Sequence, residues 1–287
     1  MKFMKNKIKY SFLIILIFVC INFIQGCQKN PATGNREINL LSESEEDAIG
    51  KSEHQKIVKQ FGGEYQNEKL KNYVESLGNF LVSTSELSDK KFTFTILNTS
   101  VINAFALPGG FIYLTRGLIY LCQNEAQLAG VIAHEIGHVT ARHSARRYTK
   151  SVGTGVILQI LNVISKNNFV NNLLGQSAQL YLLSYSRSQE YQADELAVRY
   201  MIRAGFDAKE MANFLRIMEE FSEVQREIFK IKNKVSELLK THPNSSKRVQ
   251  EVIESYKGKT QLNPIVGREI FLKKIDGLNY GDRPEEG

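Results

Sequence analysis

The chain is poor in cysteine. Its 287 residues contain three, at positions 20, 27 and 122, and the first two fall in an N-terminal segment with the pattern of an export signal. Cys122, in the apolar stretch GLIYLCQ, is left without a partner, so no intramolecular disulfide is expected and a buried, hydrophobic role is predicted for this thiol. The fold must therefore rest on a core, for which 43% hydrophobic and 23% charged residues are an ordinary composition.

The N-terminal apolar run, SFLIILIFVCINFIQ at residues 11–25, is shorter than the ~20 residues that a helix needs to cross a bilayer. Four lysines and no acidic residue precede it, which predicts a signal peptide over residues 1–26 rather than a retained transmembrane anchor. The stretch Ile24-Gln25-Gly26-Cys27 resembles a bacterial lipobox, so Cys27 is predicted to carry a lipid that anchors the protein to the membrane. Gln28 after it, by similarity to lipoprotein sorting, favours the outer membrane.

A strong excess of positive charge is missing once this leader is set aside. Without its four lysines, the formal net charge of +7, from 37 basic and 30 acidic residues, falls to +3. Nucleic-acid binding would require basic residues clustered on one face, so no nucleic-acid partner is predicted. Internal repeats are missing too, and no 34-residue helical period indicates tetratricopeptide repeats.

What remains predicts an α+β fold, a mostly helical domain with a small β-sheet. Residues 27–41 are predicted to form an extended tether, residues 42–256 the folded domain and residues 257–287 a frayed tail. Alternation in KFTFTIL and GFIYLT predicts two strands on either side of NAFALPGG. Helical patterns start at Ser42 or Ser44 and fill most of the rest. The apolar segment 152–164 is too short to span a bilayer and predicts a buried or membrane-leaning hairpin helix.

The stretch VIAHEIGHVTARHS, residues 131–144, puts three costly polar side chains into an otherwise apolar helix. His134 and His138 differ by about 40° in azimuth, so both imidazoles can reach one cation while Glu135 reaches a water beside it. Burying these groups without partners would cost roughly several kcal/mol, which a bound cation removes. The pattern predicts the site of a metallopeptidase. Hydrogen-bonded or solvated helix histidines are the alternative.

A third protein ligand is expected downstream. Glu190 and Asp194 lie four residues apart on one face of a predicted helix. Glu190 is predicted to bind the metal, and Asp194 to accept the second N–H of a ligating histidine and fix its tautomer. A solvated acidic face is the alternative. Two histidines and a carboxylate suit zinc but also iron, and a structural metal site is a further alternative.

Other polar residues near this motif are expected to lie outside the site. On a continuous helix His143 points about 140° away from His138, so a structural role is predicted for it. His54 is predicted to lie at the surface. Three basic residues at the end of the helix, where positive charge is favourable, are predicted to be solvated: Arg142, Arg146 and Arg147.

HEIGHVTARH, then SRSQEYQADELA, then THPNSSKR resemble the gluzincin HExxH metallopeptidase family typified by the CAAX prenyl endopeptidase and HtpX. The leader with its cysteine, NPATGNREINLLSESEE and NAFALPGGFIYLTRGL resemble its outer-membrane lipoprotein peptidases of the BepA and LoiP type, without the tetratricopeptide repeats. The resemblance covers about residues 27 to 256. It implies a zincin-like fold with a small antiparallel sheet carrying a substrate-binding edge strand.

The same resemblance implies roles residue by residue. One zinc ion would be bound by His134, His138 and Glu190, with Glu135 as general base and acid. The segment feeding the edge strand would contact substrate through Asn103, Ala104, Phe105, Gly109 and Gly110. His242 and Arg248 would lie in a loop near the cleft. There His242 could stabilise an oxyanion or occupy the open metal position and hold the enzyme latent; a histidine that only starts a helix before Pro243 is the alternative.

The resemblance therefore implies a zinc endopeptidase that is anchored by its lipid to the outer membrane, faces the periplasm and cleaves unfolded or misassembled envelope proteins. The alternative is a lipoprotein chaperone or assembly factor for outer-membrane proteins, which binds clients on the same edge strand and is proteolytically latent. The sequence predicts neither the client proteins nor an oligomeric state.

Overall fold

The computed structural model describes residues 27–150, 184–229, 241–242, 246–259, 261–279 and 281. The predicted signal peptide and the predicted hairpin helix at 152–164 lie outside these residues. Within them the chain is mostly helical with a small sheet, as expected for an α+β fold. Among the described residues, no helix combines the length and apolarity that a bilayer-spanning segment needs.

The described residues form five strands and eight numbered helices, and residues 143–150 are helical as well. The helices are α1 (Glu43–Gln60), α2 (Glu68–Ser83), α3 (Arg116–Leu121), α4 (Glu125–Thr140), α5 (Arg187–Arg203), α6 (Lys209–Phe229), α7 (Ser246–Tyr256) and α8 (Arg268–Ile275). The strands are β1 (Cys27–Lys29), β2 (Arg36–Ile38), β3 (Thr93–Leu97), β4 (Ala104–Leu107) and β5 (Phe111–Thr115).

Local sequence signals fix the helix ends. Of the two candidate serines, Ser42 caps α1, and it forms a capping box with Glu45. Gly62 and Gly63 follow the end of that helix, both with positive φ, a conformation that glycine adopts without a steric penalty. Gly205, with φ of 82°, likewise follows the end of α5.

The three-stranded sheet has the order β3-β5-β4 and is mixed, so the prediction of an antiparallel sheet is wrong. β3 pairs with β5 in parallel, and β4 pairs with β5 antiparallel. The sheet is mixed because residues 98–103 cross over the position of β5, so that β4 is not adjacent to β3. β4 then runs back on the far side, and the turn at residues 108–110 returns β5 between the two. β4 is therefore an edge strand.

Helix α4 lies at the centre of the fold. It packs against α5, α6, α2 and β4, and every residue from Ala126 to Thr140 is buried. One face of α2 is apolar and buried, and it consists of Leu70, Tyr73, Val74, Leu77 and Leu81. A helix surrounded on all sides by packed elements can be apolar all round, which matches the composition of α4.

Both ends of the described chain are more ordered than the sequence suggests. Residues 27–41 are not an extended tether, because β1 and β2 form an antiparallel hairpin. Asn30 in its turn is fully buried and donates from Nδ2 to the carbonyl oxygen of Ala141, 3.1 Å away. The predicted frayed tail also packs against the domain: Phe271 in α8 is fully buried, and Arg116 donates to the carbonyl of Asn279 at 2.9 Å.

Candidate metal centre

Helix α4 carries three of the predicted site residues into the interior. Asn124 caps the helix start by accepting the main-chain N–H of Gln127 at 2.9 Å. His134, Glu135 and His138 are at most 5% exposed. The prediction of polar side chains inside an apolar helix is confirmed.

Helix α5 brings the acidic residues to α4. Ser186 caps this helix, so Glu190 lies in its first turn. The two helices approach closely at Gly137, where an added Cβ would stand 3.1 Å from the carbonyl oxygen of Ala193. This contact places Glu190 and Asp194, both buried, beside the histidines.

Four buried groups converge on one point: the imidazoles of His134, His138 and His242 and the carboxylate of Glu190, whose candidate ligand atoms lie within 4.8 Å of one another. Nε2 of His134 and Nε2 of His138 are 3.0 Å apart, and they lie 3.5 and 3.4 Å from oxygens of Glu190. Nδ1 of His242 lies 3.1 Å from Glu190 Oε1. The structure thus brings the three predicted ligands together and adds His242 to them.

Asp194 sets the orientation of His134. Nδ1 of His134 lies 2.8 Å from Asp194 Oδ1. An ionised carboxylate only accepts, so a neutral His134 carries its proton on Nδ1 and has the lone pair of Nε2 on the side of the cluster. Arg248 fixes the carboxylate through Nε and Nη2, each 2.7 Å from an Asp194 oxygen, and its Nη1 lies 2.7 Å from Glu190 Oε2. Arg248 therefore links the two acidic residues.

His143 contacts His138, which corrects the prediction that it faces away. That prediction assumed a continuous helix. The helix instead ends at Thr140, Arg142 adopts a positive φ of 52°, and residues 143–150 are helical again. The break turns the ring of His143 back, so that its Nδ1 lies 2.7 Å from Nδ1 of His138. His143 does not belong to the converging group, but it touches one of its members.

Tyr185, which the sequence did not single out, covers a face of His138. Their ring centroids are 3.7 Å apart and the rings are nearly parallel. The main-chain N–H of Tyr185 donates to the carbonyl of Thr241 at 3.1 Å, which holds the segment bearing His242 beside the cluster. Nothing in the spacing around Tyr185 indicates these contacts, because they depend on how separate segments meet.

The charges in the site favour a cation. Burial lowers the pKa of His134, but Asp194 and then Glu190 outweigh it and raise that pKa to about 9. Burial would raise the pKa of Glu190, yet the charges of His242 and Arg248 hold it well below its usual value. Burial brings the pKa of His138 well below its usual value. The ionised carboxylate of Glu190 thus faces His134, whose positively charged form is favoured, and His138, whose lowered pKa keeps its imidazole neutral.

Glu135 stands beside the converging groups. Its side chain is 1% exposed, and its Oε1 lies 3.5 Å from Nε2 of His242. Its Oε2 has no hydrogen-bond partner in the part of the chain that the structure describes. Burial raises the pKa of Glu135. Such a carboxylate readily accepts a proton from a nearby donor.

This donor set fits a metal ion. The lone pairs of two imidazole nitrogens, His134 Nε2 and His138 Nε2, face each other 3.0 Å apart, next to an ionised carboxylate. When both imidazoles are neutral with their lone pairs turned inward, these groups repel one another unless a cation lies between them. A divalent ion shared by the two nitrogens and Glu190 turns this repulsion into attraction, so the residues present suit a bound metal.

The predicted substrate segment divides between two faces of the sheet. Asn103 is buried near the cluster, where its Oδ1 accepts from Thr241 Oγ1 at 3.4 Å. Ala104 lies in the main core. Phe105 points to the opposite face and stacks on Tyr113 with a centroid distance of 4.9 Å. The structure therefore brings Asn103, but not the Phe105 side chain, toward the site.

Gly109 and Gly110 form the turn between β4 and β5. Their φ angles are 84° and 87°, and a Cβ on Gly109 would stand 2.8 Å from Cα of Asp47 in α1. The turn requires residues without side chains at these positions. The two glycines are therefore explained by the geometry of the turn and not by contact with the four converging groups.

Three predictions of surface positions are wrong, and one of them concerns Arg146, whose side chain is 27% exposed and pairs with Glu37. His54 is half-buried, with Nδ1 2.9 Å from the hydroxyl of Tyr113. Arg142 is only 4% exposed, and it donates from Nε to Glu46 Oε1 at 2.8 Å and from Nη2 to the carbonyl of Leu41 at 2.8 Å. The helix break at Arg142 turns its side chain inward.

Comparison with known proteins agrees with this geometry. Residues 68–255 match the model of peptidase family M48. The chain is 34% identical over 191 residues to a beta-barrel assembly-enhancing protease of Yersinia pestis, covering 63% of this chain and 38% of that protein. The Escherichia coli protein of the same name is 32% identical over 221 residues, or 73% of this chain and 43% of that one.

A more distant relative is the mitochondrial metalloendopeptidase OMA1 of Schizosaccharomyces pombe. It is 28% identical over 230 residues, which cover 78% of this chain and 65% of that protein. The matches to the two bacterial proteins span about two fifths of their length. The family match includes all four converging residues and most of the described domain, so the chain belongs to peptidase family M48.

Proposed function

We propose that this protein is a zinc-dependent endopeptidase, lipid-anchored in the bacterial outer membrane and facing the periplasm, that cleaves misfolded or misassembled envelope proteins. One observation carries the proposal: the convergence of His134, His138 and Glu190 in a buried site with Glu135 beside them. The names of the relatives, assembly-enhancing protease and metalloendopeptidase, support the same reaction.

Zinc suits the ligands. Two imidazole nitrogens and one carboxylate form a common set for catalytic zinc, which keeps a further position open. Asp194 holds the proton of His134 away from the metal side, and Arg248 holds the carboxylates of Glu190 and Asp194 together. When bound, the zinc ion would lower the pKa of a water and polarise the scissile carbonyl.

Glu135 would move the proton. Its unpartnered Oε2 is the acceptor for a proton of the attacking water, and the raised pKa of Glu135 suits a group that must hold this proton. The same oxygen would then return the proton to the nitrogen of the leaving amine. No acyl-enzyme is required, because water attacks the peptide directly.

Strand β4 is the proposed binding place for the substrate backbone. Thr115 donates its main-chain N–H to the Asn103 carbonyl, so by the alternation of antiparallel pairing Ala104 and Ala106 direct their main-chain groups away from β5. An extended polypeptide could pair with these groups as an added strand. Recognition through the backbone would select for unfolded or looped segments rather than for a particular sequence.

The position of His242 supports a second candidate function, that of a proteolytically latent chaperone or assembly factor. Its Nδ1 lies 3.3 Å from His134 Nε2 and 3.1 Å from Glu190 Oε1, so it is placed to act as a fourth ligand. Thr241 beside it contacts Asn103 at the start of the proposed substrate edge. A protein held in this state would bind clients as a chaperone or assembly factor and cut them rarely. Movement of this segment would free both the ligand position and the edge.

Two variants test these proposals together. Glu135→Gln should keep zinc in metal analysis and lose cleavage of casein or an unfolded envelope protein. His242→Ala should cleave faster than the parent if His242 enforces latency, and slower if its imidazole stabilises the oxyanion. Full turnover by Glu135→Gln would refute the mechanism. Client binding without cleavage by the parent and by His242→Ala would favour the chaperone.

The anchor is proposed at Cys27. This residue begins β1, and the hairpin that follows packs on the domain, so a lipid there would keep the domain close to the membrane. Ile38 and Leu40, at the end of the hairpin, are 53% and 50% exposed and would face the same surface. Cys27→Ser should move the protein from the outer-membrane fraction to the soluble periplasmic fraction. An unchanged distribution would contradict lipid anchoring at this cysteine.

A further inference from the structure

A row of hydrogen bonds leads from the N-terminal hairpin to His138. Glu37 in β2 pairs with Arg146 Nη1 at 3.2 Å. Arg146 Nη2 donates to Gln192 Oε1 at 2.8 Å, and His143 Nε2 lies 2.8 Å from that oxygen. Nδ1 of His143 in turn lies 2.7 Å from Nδ1 of His138. We propose that His143 and Gln192 are positioning residues that keep the proton of His138 on Nδ1, so that its Nε2 lone pair faces the metal.

Arg146 fixes which end of the Gln192 amide faces the histidine. A guanidinium has only donors, so the group 2.8 Å from its Nη2 must be the amide oxygen and not the NH₂. Glu37 holds the guanidinium from the other side, and Asn30 Nδ2 donates to Glu37 at 3.0 Å. A flip of the amide would set donors against donors. The oxygen of Gln192 is therefore the acceptor that His143 meets.

The proton positions on both rings follow in order. Because Gln192 Oε1 only accepts, His143 must carry its proton on Nε2. Its Nδ1 is then a lone pair, and it accepts from His138 Nδ1 across 2.7 Å. A neutral imidazole has one proton, so the Nε2 of His138 is left unprotonated on the side of Glu190 and His134.

The two imidazole ligands are thus oriented by different chemistry. His134 is held by the carboxylate of Asp194, whereas His138 is held by a second imidazole and an amide. These uncharged partners fix the tautomer of His138 without adding another negative charge near Glu135 and Glu190. They also place the orientation of a ligand under the control of the hairpin that carries Glu37.

The inference rests on the proposed function in one respect, the metal-binding role of His138. Its test combines zinc affinity with the ¹⁵N chemical shifts of histidine-labelled full-length protein, which report the protonated nitrogen of each ring. The chain has only five histidines, which makes assignment tractable. The variants are Gln192→Leu, which removes the acceptor, and Gln192→Glu, which keeps one. Gln55→Leu, at an exposed position of α1, is the matched control.

In metal-free wild-type protein we expect protons on His138 Nδ1 and His143 Nε2. Gln192→Leu should let both rings exchange tautomers and weaken zinc binding by about 10- to 100-fold, the usual effect of losing such a partner. Gln192→Glu and Gln55→Leu should keep the wild-type tautomers and affinity. A general packing defect would not change which ring nitrogens carry the protons, and Gln192→Glu would not correct such a defect.

Three results would overturn the inference. A wild-type His143 protonated on Nδ1 refutes it without any variant, even if Gln192→Leu fails to fold. A wild-type protein that binds zinc, together with a Gln192→Leu protein of unchanged tautomers and affinity, refutes it and leaves the proposed function intact. A wild-type protein that binds no zinc refutes both.

Discussion

Gly137 faces the main chain of Ala193, so that a methyl group at position 137 would stand 3.1 Å from the Ala193 carbonyl oxygen and 3.3 Å from its Cα. This contact joins the helix that carries His134 and His138 to the helix that carries Glu190. The obstacle is backbone rather than a flexible side-chain end. The separation of the two helices, and hence of the ligands, therefore depends on the missing side chain.

Gly137→Ala should lower both stability and zinc affinity. In an unconstrained helix, alanine would gain about 1 kcal/mol over glycine, but overpacking a tight contact costs about 1–3 kcal/mol. We expect the second effect to win, because α5 must move away and take Glu190 with it. Urea unfolding and zinc titration would measure the two effects. A variant more stable than the parent would show that the helices tolerate a wider separation.

Asp194→Asn should damage the site through two neighbours. Burial favours the neutral acid, yet the Arg248 guanidinium holds the pKa of Asp194 below its usual value, so this buried group is an ionised acceptor. An amide cannot accept from both His134 and Arg248 without presenting its NH₂ to a donor. We expect a stability loss of about 3 kcal/mol and a 10- to 100-fold loss of zinc affinity.

Urea unfolding and a competitive zinc titration test the effect of Asp194→Asn. The matched control is Glu220→Gln, at an exposed position of α6, which should change neither quantity. Equal behaviour of the two variants would mean that Asp194 does not orient His134.

Arg142→Met should destabilise the fold without touching the metal ligands. The residue is buried and pairs with Glu46, whose pKa burial raises despite the charge of Arg142. Methionine keeps the strain of a positive φ but leaves the Glu46 carboxylate buried without its cation, at a cost of about 3 kcal/mol. Adding Glu46→Gln should recover part of this loss. A double-mutant cycle without coupling would contradict the pairing.

The ligand set could be predicted from sequence because helix geometry fixes it locally. Residues four apart share a helix face, whatever the rest of the chain does. This holds for His134 with His138 and for Glu190 with Asp194. To predict that these two pairs meet across two helices, only the chemical argument that a metal requires a third ligand was needed.

The predictions that were wrong concern features that depend on contacts between residues far apart in the sequence. Alternation indicated strands but not their neighbours, so the position of β5 between β3 and β4 was missed. No glycine or proline marked the helix break, because the residue with the positive φ is Arg142, whose side chain pairs with the buried Glu46. The partners of His143 and the packing of Phe271 follow from such contacts. Within residues 91–115 the sequence predicted strands but not their order. Within residues 134–147 it predicted the metal ligands but not the helix break.

Glu86 provides a pH-dependent contribution to stability that is separate from the metal site. Its carboxylate accepts from the Tyr200 hydroxyl at 2.5 Å and lies 3.2 and 3.1 Å from the guanidinium groups of Arg199 and Arg203. Burial alone would raise the pKa of Glu86, but the hydrogen bonds from Tyr200 and the arginines outweigh it and lower that pKa. The folded state therefore prefers the ionised form more than the unfolded chain does.

The sign of the effect follows from this lowered pKa. Stabilisation by Glu86 is complete above the unfolded-state pKa of about 4.3, and it is lost as the pH falls through the lower folded-state pKa. Wild-type protein should have a higher Tm than Glu86→Gln at pH 7, and the difference should shrink below about pH 4. Glu195→Gln also removes a contact to Arg199, at 3.5 Å, but from an exposed side chain, and it should change Tm little at either pH. A Tm difference for Glu86→Gln that grows on acidification would show that the carboxylate is held in its neutral form.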